Sequence, residues 1–93
     1  MKVNCWIPGP LMSMTAGQSH VDVETSGSTL RDALDALFAA HPGLRDRVLT
    51  ERGEIRQHVT VFVGQDESRS NRGLATPIAD GIEISIIPAI SGG

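Results

Sequence analysis

The sequence predicts an α+β fold in which one main helix packs on one face of a mixed sheet of four or five strands. Three observations lead to this prediction. Apolar and polar residues alternate in several short segments, which is the pattern of strands with one buried face. One segment near the middle has the three- and four-residue spacing of an amphipathic helix. The strand-like segments lie on both sides of this helix, so one sheet must combine both groups.

The bulk properties of the chain restrict its size class and its partners. Its 93 residues fit one domain, residues 1–93, with a single modest core. A net charge of −3 without a strong basic patch argues against nucleic acid, and no apolar run approaches the ~20 residues that span a bilayer. The N-terminus is too short and polar for a signal peptide, and the single cysteine cannot form an internal disulfide. We therefore expect a cytoplasmic protein with neither nucleic-acid nor membrane partners.

Two strands are predicted before the helix. The first alternates Val3, Cys5 and Ile7 with polar residues and ends at the Pro8–Pro10 run. A loop of small residues leads to a weaker strand over residues 18–24. Two strands so connected predict a hairpin.

The helix has the clearest signals in the chain. Thr29 and Asp32 have the spacing of a capping box, and Pro42 and Gly43 end the helix. A further helical turn over residues 44–49 would cover the edge of the core. The predicted apolar stripe of the main helix consists of Leu30, Ala33, Leu34, Leu37, Phe38 and His41.

The second half of the chain predicts the remaining strands. Alternating valines over 59–63 form the third strand, and turn residues at 64–66 separate it from a short fourth strand at about 67–69. A structured loop over 71–80, anchored by Leu74 and Ile78, ends in an Asp-Gly turn. Isoleucines then alternate with other residues in a last strand over 82–87.

The order of these elements indicates one topology. A helix that crosses between the first hairpin and the later strands places the two terminal strands side by side, and the helix then lies across one face of the sheet. This is the β-grasp, or ubiquitin-like, arrangement.

The C-terminal stretch resembles a known family. An Asp80-Gly81 turn, an apolar strand, Pro88 and the closing Ser91-Gly92-Gly93 together resemble the sulfur carriers that include the molybdopterin synthase small subunit and the thiamine sulfur carrier (MoaD/ThiS). The Ile7-Pro8 opening, an insertion before the third strand and the 73–79 loop are most similar to the carriers of thiocarboxylate-dependent cysteine synthesis. Two positions depart from the family pattern: Ile82 replaces the usual acidic residue, and Met12 replaces the arginine that commonly follows Leu11.

The resemblance implies a function for the C-terminus. In this family the terminal carboxylate, here that of Gly93, is adenylated with ATP by a separate E1-like activating enzyme. A sulfur donor then displaces AMP, and the resulting thiocarboxylate passes its sulfur to an accepting synthase. The chain would be a protein cosubstrate and no enzyme, with neither metal nor cofactor bound to it.

The expected tail, residues 88–93, suits such a role. Pro88 would stiffen its start, and an extended chain from there to Gly93 spans about 17 Å at ~3.3 Å per residue. Gly92 and Gly93 lack a Cβ and would fit a narrow channel in a partner, and Pro88, Ser91 and Gly92 are the residues expected to be recognised there.

A docking surface is predicted on the open face of the sheet. Trp6, Phe62 and Ile87 occupy the phases opposite the core-facing residues of three strands. If these strands are neighbours, the three side chains form an apolar patch for a partner protein. The alternatives are scattered surface hydrophobes or residues covered by loops.

Other reactive residues are not assigned a role. Cys5 lies in phase with Val3 and Ile7 and is expected to be buried rather than to relay sulfur. The three histidines lie far apart without the spacing of metal ligands, so no metal site is expected.

Several functions stay open at this point. The sulfur acceptor could be an activated serine in cysteine synthesis or a precursor of another metabolite. The chain could instead be the small subunit of molybdopterin synthase. It could also be a ubiquitin-like modifier conjugated through Gly93. The sequence has a single lysine, Lys2, which argues against polymers in which copies of the modifier are linked to one another. The last alternative is an interaction domain with an inert tail.

Overall fold

The computed structural model of the chain describes residues 1–88, which contain five strands and two α-helices. Short 3₁₀ segments at Gly9–Thr15, Pro42–Leu44, Ser68–Ser70 and Gly73–Ala75 lie between them. The strands and helices are β1 (Lys2–Trp6), β2 (His20–Glu24), α1 (Leu30–Ala40), α2 (Arg45–Val48), β3 (Val59–Val63), β4 (Asp66–Glu67) and β5 (Glu83–Pro88).

The strands form one mixed sheet in the order β2-β1-β5-β3-β4. β1 is antiparallel to β2 and parallel to β5, while β3 is antiparallel to both β5 and β4. The predicted hairpin and the predicted neighbouring terminal strands are both confirmed. The architecture is the expected β-grasp.

The core lies between α1 and one face of the sheet. The alternating residues of β1, β2, β3 and β5 point one set of side chains toward the helix, as the period of two requires. Leu44, Val48 and Leu49 close one end of this core from the α2 segment, as predicted. The buried apolar residues of the sheet are Val3, Cys5, Val21, Val23, Val59, Val61, Val63, Ile84 and Ile86.

Helix α1 begins with the predicted capping box. The Thr29 Oγ1 accepts a hydrogen bond from the Asp32 amide at 3.4 Å, and the Asp32 Oδ2 accepts one from the Thr29 amide at 3.2 Å. The stripe from Leu30 to Phe38 is buried as expected. His41 differs, because it is the half-exposed C-cap residue rather than part of the buried stripe.

The loop before β5 is tied to the start of α1. The Leu30 amide donates to the Thr76 carbonyl at 2.8 Å, and the Ile78 amide donates to the Ser28 carbonyl at 2.9 Å. Ile78 is buried as predicted, whereas Leu74 is half-buried. The loop therefore depends on backbone hydrogen bonds as well as on its apolar anchors.

Two loop predictions need correction. The fourth strand is Asp66–Glu67 instead of 67–69, because Asp66 already pairs with Val63 across a two-residue turn at 64–65. Gly64 adopts a φ of 62°, a left-handed conformation that allows such a tight turn. The first loop is also more regular than predicted, since Gly9–Thr15 forms a 3₁₀ helix with Leu11 and Thr15 buried.

Within the described residues, no helix is long and apolar enough to cross a membrane.

Candidate functional site

The predicted tail begins at the end of the sheet. Pro88 is the last residue of β5 and pairs with Val59, so the structure places it in the sheet rather than in the tail. The predicted recognition residues Ser91 and Gly92 and the predicted reactive residue Gly93 lie outside the described residues. Their roles stay predictions.

The strand that leads to the tail is the central strand of the sheet. β5 lies between β1 and β3 and is hydrogen-bonded on both sides. Its inward residues, Ile84 and Ile86, are both 0% exposed. Residues 89–93 therefore follow directly on a central strand that is paired on both sides and buried on its inner face.

The open face of the sheet brings the predicted apolar residues together. The strand register places Trp6 of β1 and Phe62 of β3 on opposite sides of Ser85 of β5. Ile87 lies two residues further along β5 on the same face, next to Pro88. All three predicted residues are half-buried. We call Trp6, Ser85, Phe62 and Ile87 the open-face patch.

Ser85 was missed by the sequence analysis. It faces away from α1, yet only 7% of it is exposed. Side chains directly opposite on neighbouring strands lie about 5 Å apart, so the two aromatic residues that flank it cover this small one. Only the register reveals this, because nothing near Ser85 in the sequence indicates that an aromatic residue stands on each side.

Polar residues border the open-face patch at the β2 edge of the sheet. The Asn4 Nδ2 donates to the Asp22 Oδ1 at 2.7 Å, and the Asn4 Oδ1 lies 3.4 Å from the His20 Nδ1. Glu24 and Glu83 are exposed on the same face. The surface thus has an apolar centre with a polar and largely acidic margin on this side.

Cys5 lies on the opposite face of β1, in the core. It is 0% exposed, which confirms the predicted burial. Burial, with a smaller contribution from the negative charge of Asp22, raises the pKa of its thiol to about 12. The nucleophilic form of cysteine is the thiolate, so Cys5 is a core residue at neutral pH rather than a sulfur nucleophile.

Within residues 1–88, no three His, Cys, Asp or Glu side chains come together in a group that could hold a metal ion.

The described residues form a β-grasp body, and the sequence that follows its central strand β5 closes with Gly-Gly, which together are the features of a ubiquitin-like protein. The sequence model of the ThiS family matches residues 5–93, and the chain belongs to this family. It is a ubiquitin-like sulfur carrier of the MoaD/ThiS type, as its C-terminal motif predicted.

Individual relatives are similar over nearly the whole chain. The sulfur carrier protein CysO of Mycobacterium tuberculosis is 36% identical over 95 residues, which cover 100% of both chains. Small archaeal modifier protein 1 of Haloferax volcanii is 36% identical over 83 residues, covering 88% of this chain and 91% of that one. The crystal structure of the Amycolatopsis orientalis BexX/CysO complex contains a chain with a TM-score of 0.87 and 30% identity, covering 98% of this chain and 99% of that one.

Proposed function

We propose that the chain carries sulfur as a thiocarboxylate on Gly93, formed after a separate E1-like enzyme has adenylated the terminal carboxylate with ATP. The family match that extends through Gly93, on a chain that ends in Gly-Gly, is the observation that carries this proposal. In this function the chain is a cosubstrate, and ATP is bound by the activating enzyme.

The chemistry explains why activation must come first. A C-terminal carboxylate has a pKa near ~3.5, so it is an anion at neutral pH and a poor electrophile. One carboxylate oxygen attacks the α-phosphate of ATP, pyrophosphate leaves, and an acyl-adenylate forms. A sulfur nucleophile then attacks the carbonyl carbon, the bond to AMP breaks, and sulfur takes the place of that oxygen. The thiocarboxylate sulfur is itself an anionic nucleophile and can attack the acceptor in a synthase.

The body contributes binding rather than catalysis in this proposal. The open-face patch presents apolar surface beside the root of the tail, so a partner could hold the body while the C-terminus reaches its active site. The one cysteine is buried, which leaves the C-terminus as the position for sulfur. We place these steps in the cytoplasm, where the activating enzyme, the synthase and ATP would meet the carrier.

We propose cysteine synthesis as the destination of the sulfur, with an activated serine as the acceptor. The full-length similarity to CysO proteins supports this branch, and the Ile7-Pro8 opening and the 73–79 loop agree with it. The molybdopterin alternative has weaker support, because a molybdopterin converting factor subunit from Pyrococcus furiosus is only 17% identical and shares the fold alone.

Intact-mass measurement of the protein from its native host tests the proposal. A thiocarboxylate is expected to raise the mass by about 16 Da, the difference between sulfur and oxygen. A variant that lacks Gly93, expressed in the same host, is the matched control and should not gain this mass. If the wild-type protein never carries the extra mass when sulfur is plentiful, the proposal is wrong.

Similarity to a small archaeal modifier protein supports a second candidate, conjugation of Gly93 to lysines of other proteins. The same lysate distinguishes the two functions. Isopeptide-linked peptides that end in the sequence of this tail, without any thiocarboxylate, would favour the modifier. Both products together would show that one activated C-terminus serves two acceptors.

A further inference from the structure

A basic hollow lies at the root of the tail. Pro88 and Leu11 contribute apolar surface to it, and Arg47, Arg56 and His58 line it from the α2 segment and from the chain before β3. These residues meet because β3 and β5 are antiparallel, so the end of β5 lies beside the start of β3. We call this feature the basic hollow.

The two arginines of the basic hollow are available to a partner. Both are exposed, and within residues 1–88 no carboxylate oxygen lies within 4.0 Å of either guanidinium group. The Arg56 Nε donates to the Asp46 carbonyl at 2.7 Å, and Arg69 donates to the Arg56 carbonyl at 2.6 Å. The first bond restrains the Arg56 side chain and the second its backbone, so less side-chain entropy is lost when the guanidinium binds an anion.

We propose that the basic hollow receives acidic side chains at the mouth of the site in the activating enzyme that takes up the tail. This inference rests on the proposed function. Five residues follow Pro88, and at ~3.3 Å each they span about 17 Å, so an enzyme that encloses Gly93 must come close to Pro88. The surface around Pro88, including Arg47 and Arg56, then becomes part of the interface.

The length of the tail also indicates that the ligand of the basic hollow is a carboxylate rather than a phosphate of ATP. The nucleotide reacts at Gly93, and an extended tail keeps it about 17 Å from the hollow, well beyond hydrogen-bond reach. A guanidinium group matches the planar geometry of a carboxylate and can bind it through two parallel hydrogen bonds. The chain carries a net charge of −3, so the hollow is a local basic feature that favours one orientation of docking.

Charge reversal tests the inference. We would measure pyrophosphate release by the host's activating enzyme as a function of carrier concentration, with the full chain and its Arg47→Glu/Arg56→Glu variant. We expect KM for the double variant to rise about tenfold with little change in kcat. Two attractions between arginines and acidic side chains of the enzyme would become repulsions between like charges. The KM of the wild type should also rise with salt, more steeply than that of the variant.

The control variant is Arg31→Glu/Arg72→Glu, which makes the same charge change at two exposed arginines that do not line the hollow. Arg47→Ala and Arg56→Gln remove single charges with less risk to the fold, and circular dichroism checks that each variant is folded. If the hollow variant and the control have the same KM, the inference is wrong while the proposed function stands. The inference is also wrong if AMP alone, added to the free carrier, binds at the hollow. A wild-type chain that no adenylating enzyme activates would contradict both the inference and the proposed function.

Discussion

At the scale of single residues, the open face of the sheet is organised around Ser85. A small side chain between two aromatic ones lets Trp6 and Phe62 form one continuous apolar surface instead of two separate ones. Ile87 extends this surface toward the root of the tail. A partner that docks here buries apolar area and reaches the C-terminus in the same step.

Removing the indole should weaken docking without unfolding the protein. We expect Trp6→Ala to raise KM for the activating enzyme about tenfold, because aromatic anchors dominate the energy of such interfaces. The thermal midpoint should change little, since Trp6 is only half-buried and lies outside the core. Glu24→Ala, on the same face at its edge, is the control. An unchanged KM in Trp6→Ala would remove the open-face patch from the docking surface.

Cys5 should be almost inert in the folded protein. Because its thiol pKa is raised to about 12, alkylation by iodoacetamide at pH 8 is expected to be at least about a hundredfold slower than in urea. The double variant Cys5→Ala/Ser13→Cys, which puts the thiol at an exposed position, should react rapidly without urea. Rapid reaction of native Cys5 would contradict its burial.

The raised pKa of Cys5 also has a consequence for stability. The unfolded chain loses the thiol proton near the ordinary value of 9.0, whereas the folded chain keeps it until about 12. The contribution of the Cys5 thiol to the free energy of unfolding is therefore intact below pH 9.0. It falls as the pH rises from 9.0 toward about 12. Urea unfolding at pH 8 and pH 10.5 should show a loss of stability that Cys5→Ala does not share.

At the scale of elements, the start of α1 joins three parts of the fold. The Asp32 Oδ2 accepts hydrogen bonds from the Ser28 amide, the Thr29 amide and the Thr29 hydroxyl. The backbone beside this cap bonds the loop that leads to β5, through Leu30 and Thr76. Changes to the cap are therefore expected to affect that loop as well as the helix.

The capping box should contribute measurably and in a pH-dependent way. Thr29→Ala is expected to cost about 1 kcal/mol of unfolding free energy, the usual value for a lost N-cap. Hydrogen bonds from the Thr29 side chain and then its backbone lower the pKa of Asp32 below 3.8. The contribution of the Asp32 carboxylate to the free energy of unfolding is thus present above pH 3.8. It is lost as the pH falls through the lower pKa of the folded state.

Urea denaturation at pH 7 and at a series of pH values below 3.8 measures both effects. Asp32→Asn should lower the stability at pH 7, and its effect should shrink as the pH falls through the lowered pKa of Asp32, because the wild-type carboxylate then gains a proton as well. Asp35→Asn, on the exposed side of the same helix, is the control. Equal losses in the two variants at pH 7 would show that the capping geometry has no special importance.

At the scale of the whole molecule, the parallel pairing of β1 with β5 joins the two ends of the chain in one sheet. This pairing puts Trp6 and Ser85 in one row although 79 positions, 85 minus 6, separate them in the sequence. It also makes the strand that leads to the tail central, with a neighbour on each side. The fold thus separates a stable body from the C-terminal residues that the proposed chemistry uses.

The body should be stable without the last two glycines. Deleting Gly92 and Gly93 is expected to abolish activation yet to shift the thermal midpoint by less than about 2 °C, because residues up to Pro88 already pair with the whole of β3 and glycine adds no side chain to the core. Ile86→Ala, in contrast, should cost about 2–5 kcal/mol, since it leaves a cavity at a fully buried position. A large loss of stability in the tail deletion would contradict this separation.

The sequence by itself determined the helix, the phases of the strands, the β-grasp order and the family motif at the C-terminus. These features depend on local patterns: the capping pair Thr29 and Asp32, the alternation in 59–63, and the closing Gly92-Gly93. Local patterns are reliable here because each reports the burial or the backbone geometry of its own segment.

Only the tertiary structure decided which surfaces accompany the tail. Ser85 became part of the open-face patch through its register with Trp6 and Phe62, and Arg47 and Arg56 came to the root of the tail through the antiparallel pairing of β3 with β5. The position of Pro88 inside β5 was likewise set by its partner Val59. Register and strand order depend on how distant segments share one core, and no single segment of the sequence contains that information.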